Sequence, residues 1–213
     1  MKRAILFGMA IVLIAVATLT IVLAYNTITY TSLQQDIPAI ADFPNINHDR
    51  AVRTLQQAVQ FKTLSYEVAD QWDAQPFQQY HRMLETQFPL VHEHLQQERV
   101  SELSLLYTWQ GADLQKEEIL LLAHQDVVAA PAIDAWEHPP FDGAVADGFI
   151  WGRGTLDDKS SMIGILNAVE TLLEQDFQPE RTVYLCFGHD EEVGGWNGAA
   201  KIAETLRKRG VKA

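Results

Sequence analysis

His124 with Asp126, the lone Asp157, and the adjacent pair Glu191-Glu192 are side chains able to hold cations and move protons. Each follows an apolar run that reads as a strand or opens a helical pattern. Ile119–Ala123 precedes His124, Thr182–Phe187 precedes Asp190-Glu191-Glu192, and Asp157-Asp158-Lys159 starts a helix. On an extended segment residues two apart share a face, so His124 and Asp126 point the same way. A carboxylate so placed can hold an imidazole ring and fix which nitrogen carries the proton. Zinc accepts imidazole and carboxylate, and two zinc ions close together need a bridging carboxylate, a place Asp157 can fill. Of two adjacent acids on a loop, one can bind metal while the other takes the proton of a metal-held water. Each group also has a simpler reading: a structural histidine, a helix cap, a solvated acidic turn. Three of them at equivalent ends of successive elements favour one shared site, because open α/β sheets assemble their sites at the carboxyl ends of strands.

A scaffold must bring these segments together. Val52, Leu55, Ala58 and Val59 fall at helical spacing after the candidate cap Asn47 and predict a first amphipathic helix. Phe77, Tyr80, Leu84 and Phe88 predict a second over Pro76–Phe88, which Pro89 kinks or restarts before Leu90–Gln97. Leu103–Trp109, a turn at Gly111–Asp113, and Ile119–Ala123 then predict a hairpin leading into a buried strand. Asp147-Gly148 predicts a tight turn in a second hairpin over Gly143–Trp151. A helix from about Lys159 to Glu174 follows, with Met162, Ile165, Leu166, Val169 and Leu173 on one face, then the strand Thr182–Phe187 and a helix from about Asn197 to Lys208. The expected fold class is α/β, a mixed sheet sandwiched by helices over residues 48–213.

Ahead of this domain, residues 1–25 contain the uncharged apolar stretch Ala4–Ala24, which as a helix spans about 31 Å, the thickness of a bilayer's hydrocarbon core. Lys2 and Arg3 precede it, and positive residues stay cytoplasmic, so the expectation is one transmembrane helix with the domain outside the cytoplasm. The alternative is a cleaved signal peptide and a secreted domain; the length of the apolar run favours the anchor. Residues 26–47, polar and bearing Pro38 and Pro44, read as a stalk.

The 213 residues carry a formal net charge of −12, which argues against a nucleic-acid partner, because phosphate binding needs clustered Lys and Arg. The single cysteine, Cys186, rules out an internal disulfide and a thiolate-rich zinc site, and its apolar surroundings suit a buried strand position. No G-x-S-x-G elbow suggests a serine hydrolase. Nothing in the sequence sets an oligomeric state.

Three stretches carry a family resemblance: Leu122-Ala123-His124-Gln125-Asp126-Val127-Val128, Trp151-Gly152-Arg153-Gly154-Thr155-Leu156-Asp157-Asp158-Lys159, and Gly188-His189-Asp190-Glu191-Glu192-Val193-Gly194-Gly195. They resemble the dinuclear zinc peptidases and amidohydrolases that include aminoacylases, carnosinases, glutamate carboxypeptidase and carboxypeptidase S. Trp136-Glu137-His138-Pro139-Pro140-Phe141-Asp142-Gly143 is most similar to the carboxypeptidase S branch, which also contains secreted N-acyl amino acid hydrolases. The likeness runs from about His48 onward.

The resemblance implies a zinc-exopeptidase-like domain with two Zn²⁺, either replaceable by another divalent metal, that cleaves an amide bond in a peptide or N-acyl amino acid. By it His124 binds one zinc, Asp157 bridges both, Glu192 binds the other, Glu191 is the general base and Asp126 orients His124. It also implies a later acidic ligand and a later histidine, both beyond Ala213. On that reading this is the N-terminal part of the catalytic domain, truncated, and the isolated 213 residues are expected to be inactive. The rival from another class is a non-catalytic, membrane-tethered remnant acting through interaction.

Other residues carry simpler expectations. Asp158 and Lys159 support the helix start and local charge balance, and Gly152 and Gly154 relieve crowding. His92 and His94 diverge on a helix and read as surface residues. His189 could line the site without a ligand role, and Trp136, Pro139 and Phe141 read as packing under the hairpin.

Overall fold

The computed structural model describes residues 2–32, 46–68 and 71–212. The chain divides into two compact units, Met1–Phe43 and Pro44–Ala213. Among the described residues the first contains one helix, α1 (Lys2–Thr29). Its stretch Ile5–Thr29 is long and apolar enough to cross a membrane. The helix thus takes in the first residues of the expected stalk, Asn26–Thr29, while residues 33–45 of that stalk lie outside the described residues.

In the second unit α2 (His48–Gln60) starts where the sequence places it, with Asn47 Oδ1 accepting the Arg50 N–H at 2.9 Å. Ala58 and Val59 are buried as expected, but Val52 is 39% exposed, so the apolar stripe is narrower than its spacing suggested. The next helix, α3 (Ala74–Gln87), is capped by Asp73 and buries Phe77, Tyr80 and Leu84, with Phe88 buried just beyond its end. Pro89 then restarts the chain at the first turn of α4 (Pro89–His94), where its missing N–H costs nothing. The N–H groups of Leu90 and Val91 find acceptors in the buried Glu170 carboxylate, at 3.1 and 2.9 Å.

Six strands follow in chain order: β1 (Gln96–Val100), β2 (Ser104–Trp109), β3 (Ile119–His124), β4 (Ala144–Ala146), β5 (Phe149–Trp151) and β6 (Val183–Gly188). Between β5 and β6 runs α5 (Lys159–Leu173), and α6 (Ala199–Lys208) closes the unit. The main sheet has the order β1-β2-β6-β3, antiparallel across β1/β2 and β2/β6 and parallel across β6/β3. Alternation along β2 and β6 divides the core. Leu105, Tyr107, Leu185 and Phe187 pack with α2 to α5 on one face, while Leu106, Tyr184 and Cys186 pack with Ile202 and Leu206 of α6 on the other. The mixed sheet between helices is therefore as the sequence suggested.

Three local expectations are corrected. The helix expected through Gln97 stops at His94, and β1 follows with only Val100 buried, a polar edge strand whose composition hides its extended backbone. The second correction concerns β2 and β3, which do not form a hairpin: β6 lies between them. The chain after β2 binds the lead-in to β6 instead, with Ala112 N–H to Pro179 O and Asp113 N–H to Glu180 O, both 2.9 Å. Gly111 permits this approach, since a Cβ there would strike the backbone of Arg181 and Thr182. The third is β3 itself, which is not buried throughout. Leu122 is 62% exposed, and among the described residues nothing pairs with the outer edge of β3. The second hairpin is as expected, β4/β5 turning at Asp147 and Gly148, both at positive φ.

Where β3 ends, Gln125 ties three segments together. Its Nε2 donates to Leu103 O and Phe187 O, both at 3.0 Å, and its Oε1 meets His81 Nε2 at 2.6 Å. Burial pushes His81 down to about 4 from an ordinary value of 6.5, even though the Gln125 hydrogen bond favours the charged ring. With the folded-state value depressed, the unfolded chain takes up the proton first as pH falls. Stability from this group is therefore complete above about pH 6.5 and lost progressively toward pH 4, by about 3 kcal/mol at most. Urea titrations of wild type and His81→Gln should show their stability difference moving against wild type across that window; a difference that does not change with pH would remove His81 as the cause.

Candidate metal centre

The parallel pair sets the stage. β3 and β6 end level, His124 lying opposite Gly188, and the Gln125 N–H donates to Gly188 O at 2.9 Å. The segments His124–Asp126 and His189–Glu192 therefore leave the same end of the sheet, the end where α/β sites form. The third segment is the turn before α5. There the Asp157–Asp158 peptide is cis, the Lys159 N–H donates to Gly154 O at 3.0 Å, and Asp158 Oδ2 accepts the His124 N–H at 3.3 Å.

His124 sits at the centre of this arrangement. Its Nε2 lies 2.9 Å from Asp157 Oδ1 and 3.7 Å from Glu191 Oε2. On its other side Nδ1 lies 3.0 Å from the Asp126 carbonyl oxygen and 3.2 Å from Asp126 Oδ1. Ligand atoms of His124, Asp157 and Glu192 all fall within 4.8 Å of one another, a group that could hold a metal ion. Nitrogen and oxygen ligands about 2.0–2.2 Å from a tetrahedral zinc are spaced roughly 3.3–3.6 Å apart, inside the observed range. Small side-chain movements suffice to close such a set.

Asp126 does more than face the histidine. Its side chain is fully buried, and its two oxygens accept the backbone N–H groups of Glu191 and Glu192, each at 3.1 Å. One carboxylate thus fixes the imidazole of one loop and the backbone of the other. Burial opposes its ionisation, but hydrogen bonds from His124 and the Glu192 N–H hold the carboxyl below its ordinary range. Burial likewise opposes a charged His124, yet Asp126, Asp157 and Glu191 outweigh it and push the ring up to about 9. Glu192 moves the opposite way, raised by burial and by the negative charges of Asp157, Asp126 and Glu191. Carboxylates crowd this end of the sheet with few cations among them, which is the electrostatics of a site suited to a divalent ion.

All five residues singled out from the sequence converge here; their neighbours serve elsewhere. Both oxygens of Asp190 are engaged by the N–H groups of Asn197 and Gly198, at 2.7 Å each, closing the loop ahead of α6. His189 is buried, with Nδ1 2.6 Å from Ser104 Oγ and its ring edge-on to Trp72. His92 is not a free surface side chain: its ring nitrogens meet Phe88 O at 2.8 Å and Tyr107 Oη at 3.1 Å. The Trp136 ring lies under the Arg153 guanidinium, 5.3 Å away. Burial pushes the Cys186 thiol up to about 12, consistent with a packing role.

Sequence reasoning missed two contributors. Gln125 occupies the opposite face of the extended segment from His124 and Asp126, so the same alternation that paired those two also pointed Gln125 inward. Lys159 is fully buried, with Nζ donating to Ala58 O at 2.8 Å and Phe61 O at 2.7 Å, which goes well beyond support of its own helix start. No sequence pattern distinguishes this lysine from a solvated one.

Residues 120–213 match the model of peptidase family M20/M25/M40. A probable carboxypeptidase S-like protein of Dictyostelium discoideum is 42% identical over 189 residues, covering 85% of this chain and 36% of that protein. The N-fatty-acyl-amino acid synthase/hydrolase PM20D1.1 of Danio rerio is 40% identical over 211 residues, covering 95% of this chain and 41% of that protein. The chain therefore spans about two fifths of the length of these relatives. Human carnosine dipeptidase 1 shares the fold, with a TM-score of 0.58 at 21% identity over 76% of this chain and 35% of that one. All three motif stretches fall within the matched residues, and over residues 120–213 the chain matches peptidase family M20/M25/M40.

Proposed function

We propose that the unit from Pro44 onward carries metal-binding and proton-transfer groups of a hydrolase that cleaves an amide bond in a peptide or N-acyl amino acid. The observation that carries this reading is the convergence of His124, Asp157 and Glu192 within 4.8 Å at one end of the sheet, with Glu191 beside them. The relatives named as a carboxypeptidase S-like protein and an N-fatty-acyl-amino acid synthase/hydrolase support the substrate class.

In this reading His124 and Asp157 would hold one zinc ion, and Asp157 and Glu192 a second. When bound, zinc polarises the scissile carbonyl and acidifies water. Asp126 presents His124 with its Nε2 toward the ligand cluster and keeps the Glu191-Glu192 backbone in place. Glu191, whose side chain is 58% exposed, is open to an incoming substrate. It takes a proton from the attacking water and passes it to the leaving amine as the C–N bond breaks, so one carboxylate serves as base and then acid.

We also propose that α1 anchors this domain outside the cytoplasm. Its length and apolar composition support a membrane span, and Lys2 and Arg3 at its start favour a cytoplasmic N-terminus.

Three measurements test these readings. In a protein of this family architecture with full activity, Glu191→Gln should lower turnover by about 10²- to 10⁴-fold with metal content nearly intact, because a base is lost and not a ligand. Normal turnover in that variant excludes Glu191 as the base. Asp157→Ala should reduce metal content for both ions together, as measured by elemental analysis; loss of a single ion would show that Asp157 does not bridge. Cell fractionation should place the chain with membranes, and protease added from outside should remove the domain. Recovery as a soluble cytoplasmic protein would end the anchor reading.

A further inference from the structure

Lys159 stands two residues after Asp157, and its ammonium is buried in the core. Nζ donates to the carbonyls of Ala58 and Phe61 at the carboxyl end of α2 and lies 5.1 Å from the centre of the Tyr80 ring. Among the described residues no carboxylate stands within ion-pair range of it. Burying an ammonium with only carbonyl and ring partners is costly, and an apolar side chain of similar volume would fill the space at lower cost. Stability alone is a poor explanation for a lysine here.

The two carbonyls lead back toward the other half of the candidate centre. Phe61 O also accepts the Thr63 N–H at 2.9 Å. Thr63 Oγ1 then donates to Gln125 O at 2.7 Å, and Thr63 O accepts the Val127 N–H at 3.0 Å. Gln125 and Val127 flank Asp126, and Gln125 follows His124 directly. The lysine stem is held from above by Gly154, at φ 88°, where a Cβ would lie 2.7 Å from Val127 Cγ1 and 3.3 Å from Lys159 Cδ. A continuous run of hydrogen bonds therefore joins the Asp157 turn to the His124–Asp126 segment behind the cluster.

We propose that Lys159 is a positioning residue for the metal centre: acting through Phe61 and Thr63, it locks Asp157 in register with His124. The proposal rests on the reading of His124, Asp157 and Glu192 as metal ligands. Removing such a support leaves every ligand present but mis-sets their spacing, and losses of this kind run at about 10- to 100-fold in metal affinity.

The test uses the full chain in detergent as wild type, Lys159→Met and Thr63→Val. Zinc affinity is measured by competition with a chromophoric chelator, the absorption spectrum is recorded with Co²⁺ in place of zinc, and folding is followed by circular dichroism. Lys159→Met should bind zinc about 10- to 100-fold more weakly than wild type and shift the Co²⁺ bands, while its far-ultraviolet spectrum stays the same. Thr63→Val keeps the lysine and both backbone bonds of residue 63, and should show a smaller loss with the same direction of spectral change. It decides the matter if Lys159→Met does not fold. Wild-type zinc affinity and an unshifted Co²⁺ spectrum in the folded variants would overturn the positioning role while leaving the ligand reading intact. Failure of the wild-type chain itself to take up Zn²⁺ or Co²⁺ would instead overturn the ligand reading, and this proposal with it.

Discussion

The arrangement at the end of the sheet depends on one buried carboxylate. Asp126 has no solvent to satisfy it, so its two oxygens must be met by protein donors, and those come from separate segments: the His124 ring at the end of β3 and the N–H groups of Glu191 and Glu192 on the loop after β6. An apolar residue in that place would leave two backbone N–H groups without these acceptors. Charge-assisted hydrogen bonds of this type are stronger than neutral ones, which lets a single side chain hold two loops at a fixed separation. The need to satisfy Asp126 and the need to bring His124 next to the paired glutamates are met by the same contacts.

That clamp works because the strands beneath it are already in register. β3 and β6 are parallel neighbours ending at His124 and Gly188, so their following loops start side by side. Gln125 reinforces the junction from the core side by bonding to Leu103 O, Phe187 O and His81, and alternation along the chain sends its neighbours His124 and Asp126 the other way. One three-residue segment thus has a structural face and a chemical face. The acidic turn before α5 is tied in from a third direction, through Lys159 and the carboxyl end of α2.

Crowded carboxylates are unfavourable unless cations offset them. Here the opposing shifts of His124 and Glu192 show the tension: the imidazole is driven toward its charged form and the glutamate toward its neutral one, each reducing net negative charge at the same place. A divalent cation does so more effectively, which links the metal proposal to the electrostatics of this chain as well as to the family it matches over residues 120–213.

Much of this was legible without coordinates. Residue type and local spacing pointed to the α/β class, the burial of Phe77, Tyr80 and Leu84, the Asp147-Gly148 turn and the five candidate residues that lie together at the end of the sheet, because helical and extended periodicity and turn chemistry are local properties. The order of the sheet was not legible. Two apolar runs separated by a turn read as a hairpin, and only the contacts of Ala112 and Asp113 with the chain ahead of β6 place that later strand between them. The polar strand β1 was missed for the related reason that pairing with β2, rather than its own composition, makes it extended. Tertiary structure alone decided that Asp190 would close a loop while Glu191 and Glu192 turned toward His124, and that Lys159 would be buried. A side chain's partners come from segments distant in the chain, and no periodicity within its own segment encodes them.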